Sequence, residues 1–206
     1  MHKIIITLII FCFSLSAAGQ LLDPIFDNQI KLSTLRIIDP HNQGIELNYE
    51  RFHSKRFSSE LSAAHMGNII TSGNFEGFRI GFEEKYFFVK RRIPKVRPYV
   101  STQLVYNNSA LKNVNNYGYD SSTNTYFNVP FTVLKKTAAI NIKTGLELKL
   151  GRFVLENCFG IGAKYREVKH IDRKYPYPKS KFWDRNAEGS WWVINLPATF
   201  KIGYIF

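Results

Sequence analysis

Few residues of this chain are equipped for chemistry. Beyond the N-terminal segment there are four histidines, His41, His53, His65 and His170, and one cysteine, Cys158. A hydrolytic centre needs a nucleophile, a base and a group that orients the base. No histidine here is followed by Ser two residues later, and His53 and Ser54 are adjacent, hence on opposite faces of a strand. His65 and His170 are the pair that folding could bring together, and a surface or interfacial role outweighs a catalytic one for both. The histidines are scattered and Cys158 has no neighbouring ligand, so no metal-binding spacing is present. We therefore assign no catalytic, cofactor-binding or metal residues, expect no cofactor, and read the chain as not an enzyme.

The segment Val168 to Gly189 has a different chemistry. Lys169, Arg173, Lys174, Lys179, Lys181 and Arg185 stand among Tyr175, Tyr177, Phe182 and Trp183. Cations beside aromatic rings can grip anionic sugars or a partner surface. The plainer alternative is that the rings pack a long loop onto the structure beneath it.

The elements that must carry these residues are strands. From Trp192 to Phe206 every second residue is apolar: Trp192, Ile194, Leu196, Ala198, Phe200, Ile202, Tyr204, Phe206. Period-two alternation puts this set on one face of a pleated strand and Asn195, Thr199 and Lys201 on the other. The same pattern is cleanest over Ala138–Leu150 and recurs over Phe153–Arg166. Less regular versions cover 29–38, 45–52, 57–66, 75–88 and 97–107, which makes eight strands. The polar stretches 108–128 and 168–189 read as long loops, Ser54–Arg56 and Leu150–Arg152 as tight turns, and Lys90–Lys95 as a basic connector. No helical period of useful length and no domain break appears.

The chain opens with His2 and Lys3, an apolar run from Ile4 to Leu15, and then Ser16, Ala17, Ala18 and Gly19. That is the layout of a secretory signal peptide, with 1–19 removed and 20–206 forming one domain. Cys12 follows the bulky Phe11 inside the apolar run and is read as part of the discarded segment. Cys158 then has no partner for an intramolecular disulfide. The net charge of +12 becomes +11 when Lys3 is lost. Nucleic acid would suit such a charge, but export argues against it; at an outer surface the natural polyanion is lipopolysaccharide, and a plain solvated basic surface accounts for the charge equally well.

Alternation alone does not separate a soluble barrel, apolar inside, from a membrane barrel, apolar outside. Three features favour the membrane. Tight turns alternate with long loops. Aromatic residues gather at strand ends: Tyr49, Tyr86, Phe88, Tyr106, Phe153, Tyr165, Trp192, Tyr204 and Phe206. The polar face carries both signs, with Glu46, Glu50, Glu60, Arg79, Glu83, Lys85, Lys143, Glu147, Lys149, Glu156, Lys164 and Arg166. Charges of both signs in a narrow lumen can pair across it, so we expect a lumen filled by side chains, with Lys201 meeting an interior Glu. The mildly negative mean hydropathy would by averaging suggest a soluble protein, but in a membrane barrel that average misleads, because only alternate residues face lipid.

With these residues in view, the chain resembles the small eight-stranded outer-membrane β-barrels of Gram-negative bacteria, the OmpA-barrel and OmpX-like group. The closing strand carries the resemblance: Thr199, Tyr204 and Phe206 match the barrel-assembly signal, while Lys201 stands where that signal usually has Gly. The resemblance implies an all-β, eight-stranded antiparallel up-and-down transmembrane β-barrel in the bacterial outer membrane. It implies a non-enzymatic structural or surface-interaction role, with basic and aromatic outer loops. Its partners would be outer-membrane lipid and lipopolysaccharide, and the barrel-assembly machinery during biogenesis; no nucleic acid is expected, and the chain is read as a monomer. The alternatives are an outer-membrane lipid-modifying enzyme, similar to the lipid A deacylases that use Ser, His and Glu on neighbouring strands, and a soluble periplasmic lipid-binding barrel.

Overall fold

The structure is a computed structural model that describes residues 28–38, 43–67, 74–89, 95–115, 117–120, 125–173 and 186–206. The expected signal peptide, His41, the connector residues 90–94 and the loop residues 174–185 fall outside that set. In chain order the elements are β1 (Asn28–Ser33), a short helix α1 (Leu35–Ile38), β2 (Gly44–Phe52), β3 (Phe57–Gly67), β4 (Phe75–Phe87) and β5 (Val96–Val114). They continue as β6 (Tyr117–Asp120), β7 (Thr125–Asn128), β8 (Phe131–Leu150), β9 (Phe153–Ile171), β10 (Gly189–Asn195) and β11 (Ala198–Ile205).

Each wall strand pairs antiparallel with its sequence neighbour from β1 through β5, then β5 with β8 and β8 with β9. Strands β10 and β11 keep one register on β9, Asn195 opposite Gly162 and Ala198 opposite Phe159, so they form a single strand interrupted at Leu196–Pro197. The proline lacks an N–H, yet its carbonyl still accepts from the Gly160 N–H at 2.9 Å. Pairing of β1 with β11, Gln29 opposite Ile205 through Ser33 opposite Lys201, closes the ring. The result is an all-β, closed, eight-stranded antiparallel barrel.

The polarity of the wall is inverted relative to a soluble domain. Large apolar residues lie on the outer face, with Ile142 61 % exposed, Phe159 67 % and Ile194 74 %. The inner face holds buried Lys, Arg and Glu. Ring pairs border the apolar belt at both ends: Phe57–Tyr86 and Phe153–Tyr204 near the tight turns, Phe78–Tyr106 and Tyr165–Trp192 at the other end. Phe153 and Tyr165 sit twelve residues apart on β9. At ~3.3 Å per residue and a tilt of ~40°, that spacing spans about 30 Å, close to the height of an apolar belt in lipid.

Three elements differ from the sequence reading. The first strand, expected over 29–38, stops at Ser33 and turns into α1. The Thr34 N–H to Phe200 carbonyl bond, 2.9 Å, is the last tie to the sheet. Beyond it Ile37 and Ile38 break the alternation, and Pro40 follows in the sequence. The segment 108–128, expected as a loop, is mostly strand: β5 runs on to Val114, and β6 and β7 pair as a hairpin. Polar composition suggested a loop, but a wall that continues past the apolar belt needs no apolar outer face. An inner apolar cluster holds this extension, with Phe131, Val133 and Val168 buried and Leu111, Val114 and Trp191 packed against them. The long connection expected over 168–189 is likewise shortened at both ends by β9 and β10.

Two glycines have positional reasons. Gly151, at φ 64°, makes the turn between β8 and β9 that an L side chain would strain. Gly145 faces the lumen, and a Cβ there would lie 2.5 Å from Cζ of Tyr99. The missing side chain is the space the Tyr99 ring occupies.

Candidate functional site

Inward-facing positions follow directly from register. They are odd-numbered on β1, β4, β5, β8 and β11, and even-numbered on β2, β3 and β9. This alternation delivers six acids, Glu46, Glu50, Glu60, Glu83, Glu147 and Glu156, to the barrel interior. Among the described residues it also delivers seven buried cations there: Lys31, Arg79, Lys85, Arg97, Lys143, Arg166 and Lys201.

Three carboxylates and three ammonium groups meet at the centre. Lys85 Nζ lies 3.0 Å from Glu50, 2.7 Å from Glu60 and 2.9 Å from Glu156. Lys201 reaches Glu60 at 2.5 Å and Glu156 at 3.2 Å, and Lys31 donates to Glu50 and Glu156. The Tyr99 hydroxyl donates to Glu156 at 2.7 Å. Above this cluster Lys143 donates to Glu83 at 2.5 Å, and Arg79 lies 3.0 Å from Glu46. Toward the tight turns Arg97 donates to Glu147. Its guanidinium carbon sits 4.5 Å from the Phe87 ring centroid and 5.0 Å from that of Phe52. Ligand oxygens of Glu50, Glu60 and Glu156 converge within 4.8 Å of one another, which is a metal-like donor set. Lys85 contacts all three, so the ammonium supplies the positive charge such a set requires. Lys31 and Arg97, central to this arrangement, were absent from the interior set read from sequence. Their strands carry the weakest alternation, although each is flanked by outward apolar neighbours (Ile30 and Leu32; Val96 and Pro98).

His65 and His170 do not converge. His65 points outward from β3, while His170 sits on the inner side of β9, four strands around the ring. The expected approach of the two is thereby corrected: opposite walls and opposite faces separate them. His170 packs on the Phe131 ring at 4.9 Å, shares a hydrogen bond with the Asn186 carbonyl at 2.6 Å and meets an Arg173 N–H at 2.7 Å. It braces the base of the loop. Arg173 also pairs with Glu188 at 3.2 Å, and Lys169 with Glu167 at 2.9 Å. That hydrogen bond and the Lys169 charge hold the Glu167 carboxyl below its ordinary range. Arg166 lies over the Trp191 ring, 4.5 Å from its centroid.

A Ser–His–Glu grouping does exist where the sequence did not suggest one. Ser59 lies opposite Glu84 on the outer side of β3 and β4 and donates to its carboxylate. The His53 ring, at the end of β2, shares a hydrogen bond with the same hydroxyl. Partial burial, and then the Arg51 charge, push the His53 pKa down. The order is wrong for an orienting triad, because the Glu binds the nucleophile rather than the base. What the grouping accomplishes is to satisfy Glu84, which interrupts the apolar face of β4. Cys158 is buried, with Sγ 2.8 Å from the Thr199 hydroxyl, and packs with Phe52, Phe87 and Tyr99.

No family model and no curated protein matches this chain. Among solved structures, the chain is similar to Neisserial surface protein A. The likeness has a TM-score of 0.43 and 13 % identity, covering 88 % of this chain and 97 % of that one. The assignment of the barrel rests on this chain's own strand pairing.

Proposed function

We propose that this chain is a non-enzymatic barrel of the bacterial outer membrane, with a structural or surface-interaction role, a lumen filled by side chains, and loops that contact lipopolysaccharide. One observation carries the reading. The outer face is apolar between two aromatic borders, while inside six buried acids pair with buried lysines and arginines. In water that arrangement would expose the apolar belt and bury every ion at a cost; in lipid it is the favoured polarity. Arg97, Tyr99, Lys31, Phe52, Lys85 and Phe87 are all essentially inaccessible, which supports a closed core over a solute channel. The closing strand, with Tyr204 and Phe206, supports transient handling by the barrel-assembly machinery.

The test is membrane fractionation with electrophoresis of unheated and boiled samples. A folded barrel stays with the membrane and changes mobility on boiling. A protein found wholly in the aqueous phase with one mobility would remove the reading. For the lipopolysaccharide contact, Lys179→Gln together with Lys181→Gln should weaken attachment in a salt-dependent manner. Unchanged attachment at low and high salt would count against it.

A further inference from the structure

The tight-turn rim contains one arrangement twice. Arg56 precedes the first residue of β3, Phe57, and Arg152 precedes the first residue of β9, Phe153. Phe57 lies opposite Tyr86 on β4, and Phe153 lies opposite Tyr204 on β11. Arg56 donates from Nη1 to the Tyr86 hydroxyl at 3.0 Å, and Arg152 donates from Nη1 to the Tyr204 hydroxyl at 3.1 Å. The backbones repeat as well. The Phe87 N–H donates to the Arg56 carbonyl at 2.8 Å, and the Ile205 N–H donates to the Arg152 carbonyl at 2.8 Å. Ring centroids of Phe57 and Tyr86 are 5.1 Å apart, and those of Phe153 and Tyr204 are 5.8 Å apart. In each copy the arginine main chain and side chain are both tied to the neighbouring strand, so the exposed guanidinium is held at the level of the rings.

The two copies lie on opposite walls. Around the ring, β3 and β4 are separated from β9 and β11 by β5 and β8 on one side, and by β1 and β2 on the other. The rim between them is cationic. Arg51, Lys55, Arg56, Lys95 and Arg152 are exposed there, and among the described residues no acidic side chain at this rim is exposed.

We propose that each Arg–Tyr–Phe unit is a binding site for the phosphodiester of a phospholipid in the leaflet at the tight-turn rim, so that two lipids seat the barrel at opposed points. The inference rests on the membrane reading above. A guanidinium has five N–H donors in a planar fork, and a single bond to a tyrosine leaves a pair free for two phosphate oxygens. The tyrosine hydroxyl, accepting from the arginine, keeps its own proton to donate to the same phosphate. The Phe and Tyr rings supply the apolar flank that the acyl chains need at interface depth. Lysine would offer charge without the fork.

The experiment is native mass spectrometry of the purified barrel in detergent, with dioleoyl-phosphatidylglycerol, dioleoyl-phosphatidylcholine or a phosphate-free galactosyl diacylglycerol added in turn. Two retained lipids are expected with either phospholipid and none with the galactolipid. Arg56→Gln and Arg152→Gln should each retain one, and the double variant none. Arg56→Lys with Arg152→Lys should fold alike and retain phospholipid several-fold more weakly. Two phospholipids retained by the Gln double variant, or equal retention of the galactolipid, would overturn the proposal while leaving the membrane reading intact. Unheated and boiled samples of every variant are compared by electrophoresis. A wild-type chain that never shows the mobility change nor enters vesicles removes the membrane reading itself, and the lipid sites with it.

Discussion

Removing the charge of Glu156 tests the interior most directly. Its carboxylate touches Lys31, Lys85 and Lys201, and it accepts from the Tyr99 hydroxyl. At the centre three ammonium groups face three carboxylates. Glu156→Gln leaves three against two, at a depth where each side chain is almost wholly inaccessible. At 2.9 Å and 3.2 Å, the Lys85 and Lys201 contacts are each worth about 5 kcal/mol by Coulomb's law with an effective dielectric of ~20. Relief of desolvation and of repulsion from Glu50 and Glu60 offsets much of that sum. Cutting one partner out of a buried ion network therefore costs roughly 3–5 kcal/mol. The assay is equilibrium urea unfolding of the barrel in phosphatidylcholine vesicles, followed by tryptophan emission and by mobility of unheated samples. The midpoint falls while the slope is kept. Adding Lys201→Gln to Glu156→Gln restores charge balance, so the double variant loses less than the two singles combined, with a coupling of about 1–3 kcal/mol. A loss below ~1 kcal/mol for Glu156→Gln, or strictly additive singles, would show that the lumen is hydrated and the ion pairs screened.

Gly145→Ala puts a Cβ 2.5 Å from Cζ of Tyr99, so it should destabilise by about 1–3 kcal/mol in the same unfolding assay. Ile142→Arg, at a position 61 % exposed on the outer belt, should cost roughly 2–4 kcal/mol in vesicles. A neutral effect there would place Ile142 in water. Because the folded pKa of His53 lies below the ordinary value, the unfolded chain binds the proton more readily. Stability should thus fall as pH drops through about 6.5, the unfolded value, and His53→Gln should flatten that part of the pH profile. His53 is partly exposed, so the effect is small; a steeper profile in the variant would refute the assignment.

Much of the barrel was legible from the order of residues alone. The alternation over Ala138–Leu150 and Trp192–Phe206 marks strands and divides their faces, because a pleated chain sends successive side chains to opposite sides. The eight strands and the tight turns at Ser54–Arg56 and Leu150–Arg152 followed from the same period and its interruptions. Where polarity stood in for conformation the reading failed. The segment 108–128 is polar, yet it is largely strand, since cross-strand pairing and the Phe131–Val133–Val168 cluster hold it without a lipid-facing side. Near the start of the chain, Ile37 and Ile38 looked like strand continuation until closure of β1 on β11 ended at Ser33.

Which charges meet was beyond the sequence. Lys31 reaches Glu156 across 125 residues of chain, and Lys201 reaches Glu60 across 141. Only the closure of the ring and the stagger of its strands bring them to one level. The pairing of Arg56 with Tyr86 and of Arg152 with Tyr204 likewise depends on register between strands, as does the contact of Ser59 with Glu84. Local alternation, set by the geometry of one strand, determined which residues share a face. Ring closure, a property of all eight strands together, decided which face is enclosed and which partners each enclosed ion finds there.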